Sequence, residues 1–458
     1  MFGLTTAVAV AGTSWGHAIK VPWFAGLNRG GMANLLSISC TTARSCAAGG
    51  YYRDGASHGQ AFVVDKKNGV WRKAVEVPGS AALNRGGGAS VASISCATAR
   101  SCAAGGHFSD RAGHVQAFVA SKSNGVWRKA VEVPGSAALN RGGSATVYSI
   151  SCATAGSCAA GGSYRDGAGH TQAFVVNEKN GVWGKARKVP GLAALNVTGN
   201  AEVYSISCAT ARSCSAGGFY SAGLGAGRGF VVNEKNGIWH KAVEMPGAAS
   251  LDLGSTSAVE SISCTTALSC AAGGFASDGS GHDQAFVVNE TNGIWRTPIE
   301  VPGSADLNVG GAAAAISISC ATATSCAVGG DYSVAQGYTQ AFVANETNGV
   351  WGTAVEVPGS AALNVGLIAS ALSVSCATAT SCTAGGVYTD ASIHSRAFVV
   401  SETNGVWGTA IEVPGSAALD QGGFAAVNWI SCATANSCGV GGQYVDKSGR
   451  FQAFVTAP

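Results

Sequence analysis

Five histidines of this 458-residue chain stand four residues after an aspartate: Asp54 and His58, Asp110 and His114, Asp166 and His170, Asp278 and His282, Asp390 and His394. A sixth aspartate, Asp446, keeps the position without a histidine. Two residues beyond comes a glutamine, at Gln60, Gln116, Gln172, Gln284, Gln340 and Gln452. An aromatic precedes the group at Tyr52, Phe108, Tyr164, Tyr220, Tyr332, Tyr388 and Tyr444. Carboxylate, imidazole and amide beside an aromatic face suit a sugar, which has one apolar face and a rim of hydroxyls. These groups, with the two tryptophans Trp23 and Trp429 that stand outside any repeat, are the candidate ligand-binding residues. The competing reading is structural: Asp-Gly forms a turn, and the other side chains satisfy nearby backbone groups.

Catalysis and metal binding find little support. A nucleophile–histidine–acid set needs unlike residues converging on one point, whereas a repeated motif places the same residues at equivalent, separated points. Asp54-Gly55 lacks the several oxygen ligands of a calcium loop. Gly49-Gly50 opens no helix and makes no phosphate cradle. No catalytic residue, metal site or cofactor is therefore expected. Residues that break the repeat, such as Arg228, Asn428 and Trp429, would carry the alternative of an enzyme working in a central cavity.

The elements that position these groups repeat every 56 residues. The first cysteines of eight Cys-x5-Cys pairs, at Cys40, Cys96, Cys152, Cys208, Cys264, Cys320, Cys376 and Cys432, are 56 residues apart without a gap. Tryptophan follows the same period at Trp15, Trp71, Trp127, Trp183, Trp239, Trp295, Trp351 and Trp407. Each unit reads as four short strands. In the first complete unit these are Ser37–Cys40 with the residues just before, Cys46–Tyr52, Gln60–Val64 and Val70–Val77. Asn68-Gly69 signals a two-residue hairpin between the last two. Eight such units predict an all-β fold, a single eight-bladed β-propeller over 1–458. The chain begins and ends inside a unit, so residues 11–28 are expected to complete the last blade and close the ring. The apolar start at 5–11 has no basic flank and falls in register with the third strand, so it reads as strand and not as a leader. The periodic tryptophans are expected between blades, with a ligand platform as the alternative.

Within each pair (Cys40 with Cys46, Cys96 with Cys102, Cys152 with Cys158, Cys208 with Cys214, Cys264 with Cys270, Cys320 with Cys326, Cys376 with Cys382, Cys432 with Cys438) the cysteines would face each other across a tight turn, within disulfide reach. Zinc would need closer spacing and further ligands, and free buried thiols are the other alternative. Eight disulfides would imply an oxidising, extracellular setting. The blocks Ser-Ile-Ser-Cys-Ala-Thr-Ala-Arg-Ser-Cys-Ala-Ala-Gly-Gly at 93–106, Gln-Ala-Phe-Val and Asn-Gly-Val-Trp resemble the secreted propeller repeats of high-GC Gram-positive bacteria. That resemblance covers the whole chain and implies the propeller fold with a paired-cysteine hairpin in each blade; it implies no activity. Asn-Gly-Val-Trp also loosely resembles the Asp-box of sialidase-like propellers, but the Ser-x-Asp start is missing and no sialidase residue transfers.

Only 12% of residues are charged, against about 25% in an ordinary domain, while 47% are apolar, enough for a large core. No apolar run reaches membrane-spanning length. A net charge of +3, taken as evenly spread, gives no basic stripe for nucleic acid. The expected function is a secreted, multivalent, lectin-like ring that binds a glycan or glycosylated surface without catalysis or membrane insertion. A docking module for a protein partner is the second reading.

Overall fold

The computed structural model describes residues 15–223, 226–245, 256–335 and 337–456. It is an eight-bladed β-propeller. In blade 1 the strands are Ala33–Thr42, Ser45–Arg53, Gly59–Lys67 and an outer strand split into Val70–Trp71 and Val75–Glu76. They pair antiparallel in chain order from first to fourth. Blades 2 to 7 repeat this with first strands beginning at Ala89, Ala145, Ala201, Ser257, Ala313 and Ala369. The closing blade takes its first three strands from Ala425–Thr434, Ser437–Val445 and Phe451–Thr456. Its fourth is Ala18–Lys20 from the other end of the chain, in register Ala18 to Thr456 and Lys20 to Phe454. The sequence expectation of a shared blade holds for the described part; residues 1–14, including the apolar start at 5–11, lie outside it.

The first strands form the innermost ring. Ser37 Oγ accepts the Ile94 N–H of the next blade at 3.0 Å, and Ser39 Oγ accepts that of Cys96 at 3.0 Å. The same two bonds recur from blade to blade, and Ser431 to Cys40 completes one circle across the chain ends at 2.9 Å. Gly-Gly in the second strand permits this closeness. A Cβ on Gly49 would lie 2.7 Å from Ile94 Cδ1, and one on Gly50 would lie 1.9 Å from the Asn34 carbonyl oxygen. The apolar core is divided into layers between blades. One such layer joins Ala61, Val63 and Val77 of blade 1 to Val91, Ile94 and Phe118 of blade 2.

The outer strand departs from the continuous run expected at 70–77. Residues 72–74 separate the two segments; Arg72 N–H still donates to the Asp65 carbonyl of the third strand at 2.8 Å, but the Ala130 N–H, at the point of blade 2 equivalent to Ala74, bonds the Pro78 carbonyl of blade 1 at 2.7 Å. The bulge diverts one backbone donor to the neighbouring blade and bends the edge away from further pairing. Beyond it a single helical turn, Ser80–Leu83, opens the crossover to the next blade. The Glu76 carboxylate accepts from Ser80 Oγ at 3.2 Å and Ala81 N at 3.1 Å, which fixes the turn. Asn68 and Gly69 both adopt positive φ, 54° and 84°, as the two-residue hairpin requires.

All eight cysteine pairs are disulfides and no free thiol remains. They lie on one face with the Asn-Gly turns, where Gly69 N donates to Arg44 O at 2.9 Å. The 52–60 loops and the crossovers share the opposite face, joined for example by Gly59 N to Gly87 O at 2.9 Å. Among the described residues no helix is long and apolar enough to cross a membrane.

Candidate functional site

The loop at 53–59 is held by Asp54. One carboxylate oxygen accepts the backbone N–H groups of Ala56 at 2.8 Å and His58 at 3.0 Å. The other accepts Gln60 Nε2 at 3.0 Å. Gln60 Oε1 in turn accepts Asn84 Nδ2 of the crossover at 2.9 Å, and Asn84 Oδ1 accepts Gly88 N at 2.8 Å. Burial pushes the Asp54 carboxyl up, but the Gln60, His58 and Ala56 bonds outweigh it and hold the group below its usual range. The same staple forms at Asp110–Gln116–Asn140, Asp166–Gln172–Asn196, Asp278–Gln284–Asn308 and Asp446–Gln452–Asn28. In blade 7 Arg396 stands for the glutamine and Asp420 for the asparagine. The guanidinium bridges Asp390 and Asp420 at 2.9 Å each.

These bonds decide what the loops offer. Asp54 and Gln60, with their equivalents Asp110, Gln116, Asp166, Gln172, Asp278 and Gln284, spend their polar atoms on the loop and the crossover. The expected aromatic platform is not on the surface. Tyr52 and Tyr164 are buried in the inter-blade layers, because the residue at this point in the second strand faces the neighbouring blade. The Tyr52 hydroxyl donates to Glu76 at 3.1 Å. The imidazoles are what remains. His58 Nδ1 lies 3.7 Å from Asp54 Oδ2 with more than half of the ring side chain exposed. His114, His170, His282 and His394 repeat the pairing at 3.5 to 3.8 Å. Each ring lies over a crossover glycine: a Cβ on Gly87 would meet His58 Cδ2 at 2.8 Å.

The periodic tryptophans are inter-blade residues, as the period suggested. Trp239 Nε1 donates to Asn177 Oδ1 of the preceding blade at 2.8 Å, and Trp295 to Asn233 at 3.0 Å. The two unique tryptophans are exposed. Trp23 is 76% exposed and holds a left-handed conformation, φ 60°, where the described equivalents are glycine. Trp429 is 45% exposed and occupies the inner-strand position that is serine in every other blade.

Repeat-based reasoning touched the inner ring only at Asn428 and Trp429, which lie on the first strand of the closing blade. Each first strand bulges at its fourth residue, Leu36 in blade 1, and this position varies through Tyr148, Tyr204, Glu260 and Asn428. Tyr148 bonds Ser163 at 3.1 Å, Tyr204 stacks obliquely on Phe219 at 5.3 Å, and Asn428 Nδ2 donates to Asn34 Oδ1 at 2.7 Å. Burial raises the Glu202 and Glu260 carboxyls. The signal was in the sequence as two variable columns, those of Asn34 and Leu36, in a strand whose later Ser-x-Ser-Cys part hardly changes. Among the described residues no cluster of histidine, cysteine and acids is arranged to hold a metal.

No family model matches the chain, and no curated protein matches it. Several solved structures share its general form. A microbial sialidase, Hz136, aligns over 74% of this chain and 73% of its own at 10% identity and a TM-score of 0.40. The β-propeller domain of the Trilobed protease from Pyrococcus furiosus aligns over 83% and 98% at 8% identity and 0.44. A polysaccharide lyase of family PL25, an ulvan lyase, aligns over 93% and 95% at 8% identity and 0.42. At such values the likeness carries nothing about activity.

Proposed function

We propose that this protein is an extracellular, non-catalytic ring that binds a glycan or glycosylated surface across its loop face, at several equivalent points. The observation that carries the reading is the recurring imidazole–carboxylate pair, exposed in one geometry at His58, His114, His170 and His282 and half-buried beside Arg396 at His394. Staples fix the loops before any ligand arrives, so little ordering remains to oppose binding. Repetition on a rigid body turns weak single contacts into avidity toward a polymer. Eight disulfides fit an oxidising environment outside the cell.

A glycan array identifies the sugar, and calorimetric titration with a short oligosaccharide from any hit counts the sites. Several equivalent sites per ring are expected. His58→Ala should lower the count by one and leave the melting temperature unchanged, since no fold-bearing bond uses that imidazole. A single site would instead favour the inner ring, where Tyr148, Glu202, Tyr204 and Glu260 bring together polar groups that the repeat does not share.

A further inference from the structure

The net charge conceals a division. Residues 1–250 hold 24 of the 28 lysines and arginines and 10 of the 25 acids, whereas residues 251–458 hold 4 and 15. The even spread expected from the sum does not hold. Because the chain runs round the ring blade by blade, the division is also spatial.

On the loop face the cations fall in register. Arg29, Arg85 and Arg141 stand at one crossover position, which is Val197, Val309, Val365 and Gln421 further round. Arg53 and Arg165 end second strands. Arg450 takes the histidine position of the closing blade. All six are exposed. The Arg29 chain lies along the next 53–59 loop, where a Cβ on Gly55 would be 3.6 Å from its Cδ, and Arg141 lies likewise over Gly167 at 3.5 Å. Among the described residues none of the six pairs with a carboxylate within salt-bridge distance. Arg85 Nε donates to the Ala82 carbonyl at 3.3 Å and Arg165 Nε to the Gly169 carbonyl at 2.9 Å, which leaves their terminal nitrogens outward-bonding capacity. In blade 7, by contrast, Arg396 is taken up by two aspartates.

We propose that the crescent running from the closing blade through blades 1, 2 and 3 is a binding face for an acidic polysaccharide, one with a carboxylate, sulfate or phosphate on its repeating unit. This rests on the glycan-binding reading above and names the class of glycan. Guanidinium groups recognise such anions in a planar, two-point manner, and a line of like charge on a rigid body concentrates a polyanion. The stapled carboxylates Asp54, Asp110 and Asp166 stand between the arginines. Duplex DNA, with a charge about every 1.7 Å, would meet them as repeated repulsion. A polysaccharide with one anion per sugar spaces its charges widely enough to alternate with them.

The test measures binding of the intact protein to polygalacturonate, neutral dextran, duplex DNA and phosphatidylglycerol vesicles. Polygalacturonate should bind best, and weaken about tenfold or more between roughly 50 and 200 mM salt. The triple variant R29V/R85V/R141V uses the residue native to three other crossovers and should fold normally, yet lose about tenfold or more in affinity. R44T/R100T/R212T removes the same charge from the disulfide face, using the residue at Thr324 and Thr380, and should bind as the parent does. Equal binding by the crossover variant, or tighter binding of DNA or vesicles, overturns the proposal. Dextran bound as well as polygalacturonate would overturn the crescent while leaving the glycan reading in place. No binding of either polysaccharide, with DNA bound, would remove the glycan reading itself.

Discussion

At the scale of single residues, the structure separates side chains that build the loop from those that face out of it. Asp54 is a loop-building residue: Asp54→Ala removes the acceptor of two backbone donors and one amide, and should loosen the loop before it touches any ligand. Hydrogen exchange at Ala56 and His58 would report this, with the rest of the ring unchanged. Trp23 is of the opposite kind. A bulky residue in the left-handed region costs about 1–2 kcal/mol, and glycine holds the same conformation freely at Gly79 and Gly135. Trp23→Gly should therefore stabilise the ring by about 1 kcal/mol in denaturant unfolding. If the exposed indole serves as a ligand platform, the same variant loses affinity, so stability and binding move in opposite directions. Unchanged stability would mean that the conformation is not strained.

The element that ties one blade to the next is a polar clasp at the outer end of the inter-blade layer. Asn233 donates to the Glu290 carboxylate at 2.5 Å and accepts from Trp295, both of the following blade. Asn177 does the same for Glu234 and Trp239. Between blades 1 and 2 the charges are exchanged: Asp65 meets the buried Lys122 at 2.9 Å and accepts from Trp127 at 3.3 Å. Burial pushes the Glu178, Glu234, Glu290 and Glu346 carboxyls up, partly offset by the amide or hydroxyl bonds. Arg212 also lowers Glu234, and Lys235 also lowers Glu290. A raised carboxyl favours the folded state when protonated, so this contribution is complete below the ordinary glutamate value and fades as pH climbs through the folded value. The loop aspartates have the opposite sign: their contribution is present above the ordinary aspartate value and is lost as pH falls through the depressed one. Thermal stability should thus peak on the mildly acidic side, between the two. Glu234→Gln should raise stability at neutral pH and flatten the curve above the peak. A loss of stability at neutral pH would show that the ionised carboxylate is the favourable form.

For the molecule as a whole, the ring depends on a strand of three residues contributed from the far end of the chain. Ala18–Lys20 pairs with Phe454–Thr456, and the Ala18 N–H also bonds the Pro414 carbonyl at 2.7 Å. Deleting residues 1–22 exposes the edge of the third strand of the closing blade, which should lower the melting temperature and promote self-association visible in sedimentation. Each disulfide closes a small loop, worth about 2 kcal/mol in the chain-entropy account. The paired change Cys208→Ser with Cys214→Ser should cost about that much, whereas the truncation affects the closure of the entire ring.

Much of this architecture was legible in the sequence because a repeat is a local property. Fifty-six-residue identity, Cys-x5-Cys, Asn-Gly and the offset of the two chain ends require no knowledge of distant contacts, and they specify blades, disulfides, hairpins and closure. The outer-strand bulge was not legible, since its reason is a carbonyl on another blade. That Asp54 staples its loop, His58 faces outward and Tyr52 is buried was decided only in three dimensions. Alternation along a strand leaves open which side meets a neighbour, and a carboxylate in a loop becomes a staple or a ligand group according to which donors surround it. The cations could be counted in the chain, but only the circular arrangement of blades brings six of the arginines into one crescent on the loop face, while others lie on the disulfide face and the outer strands.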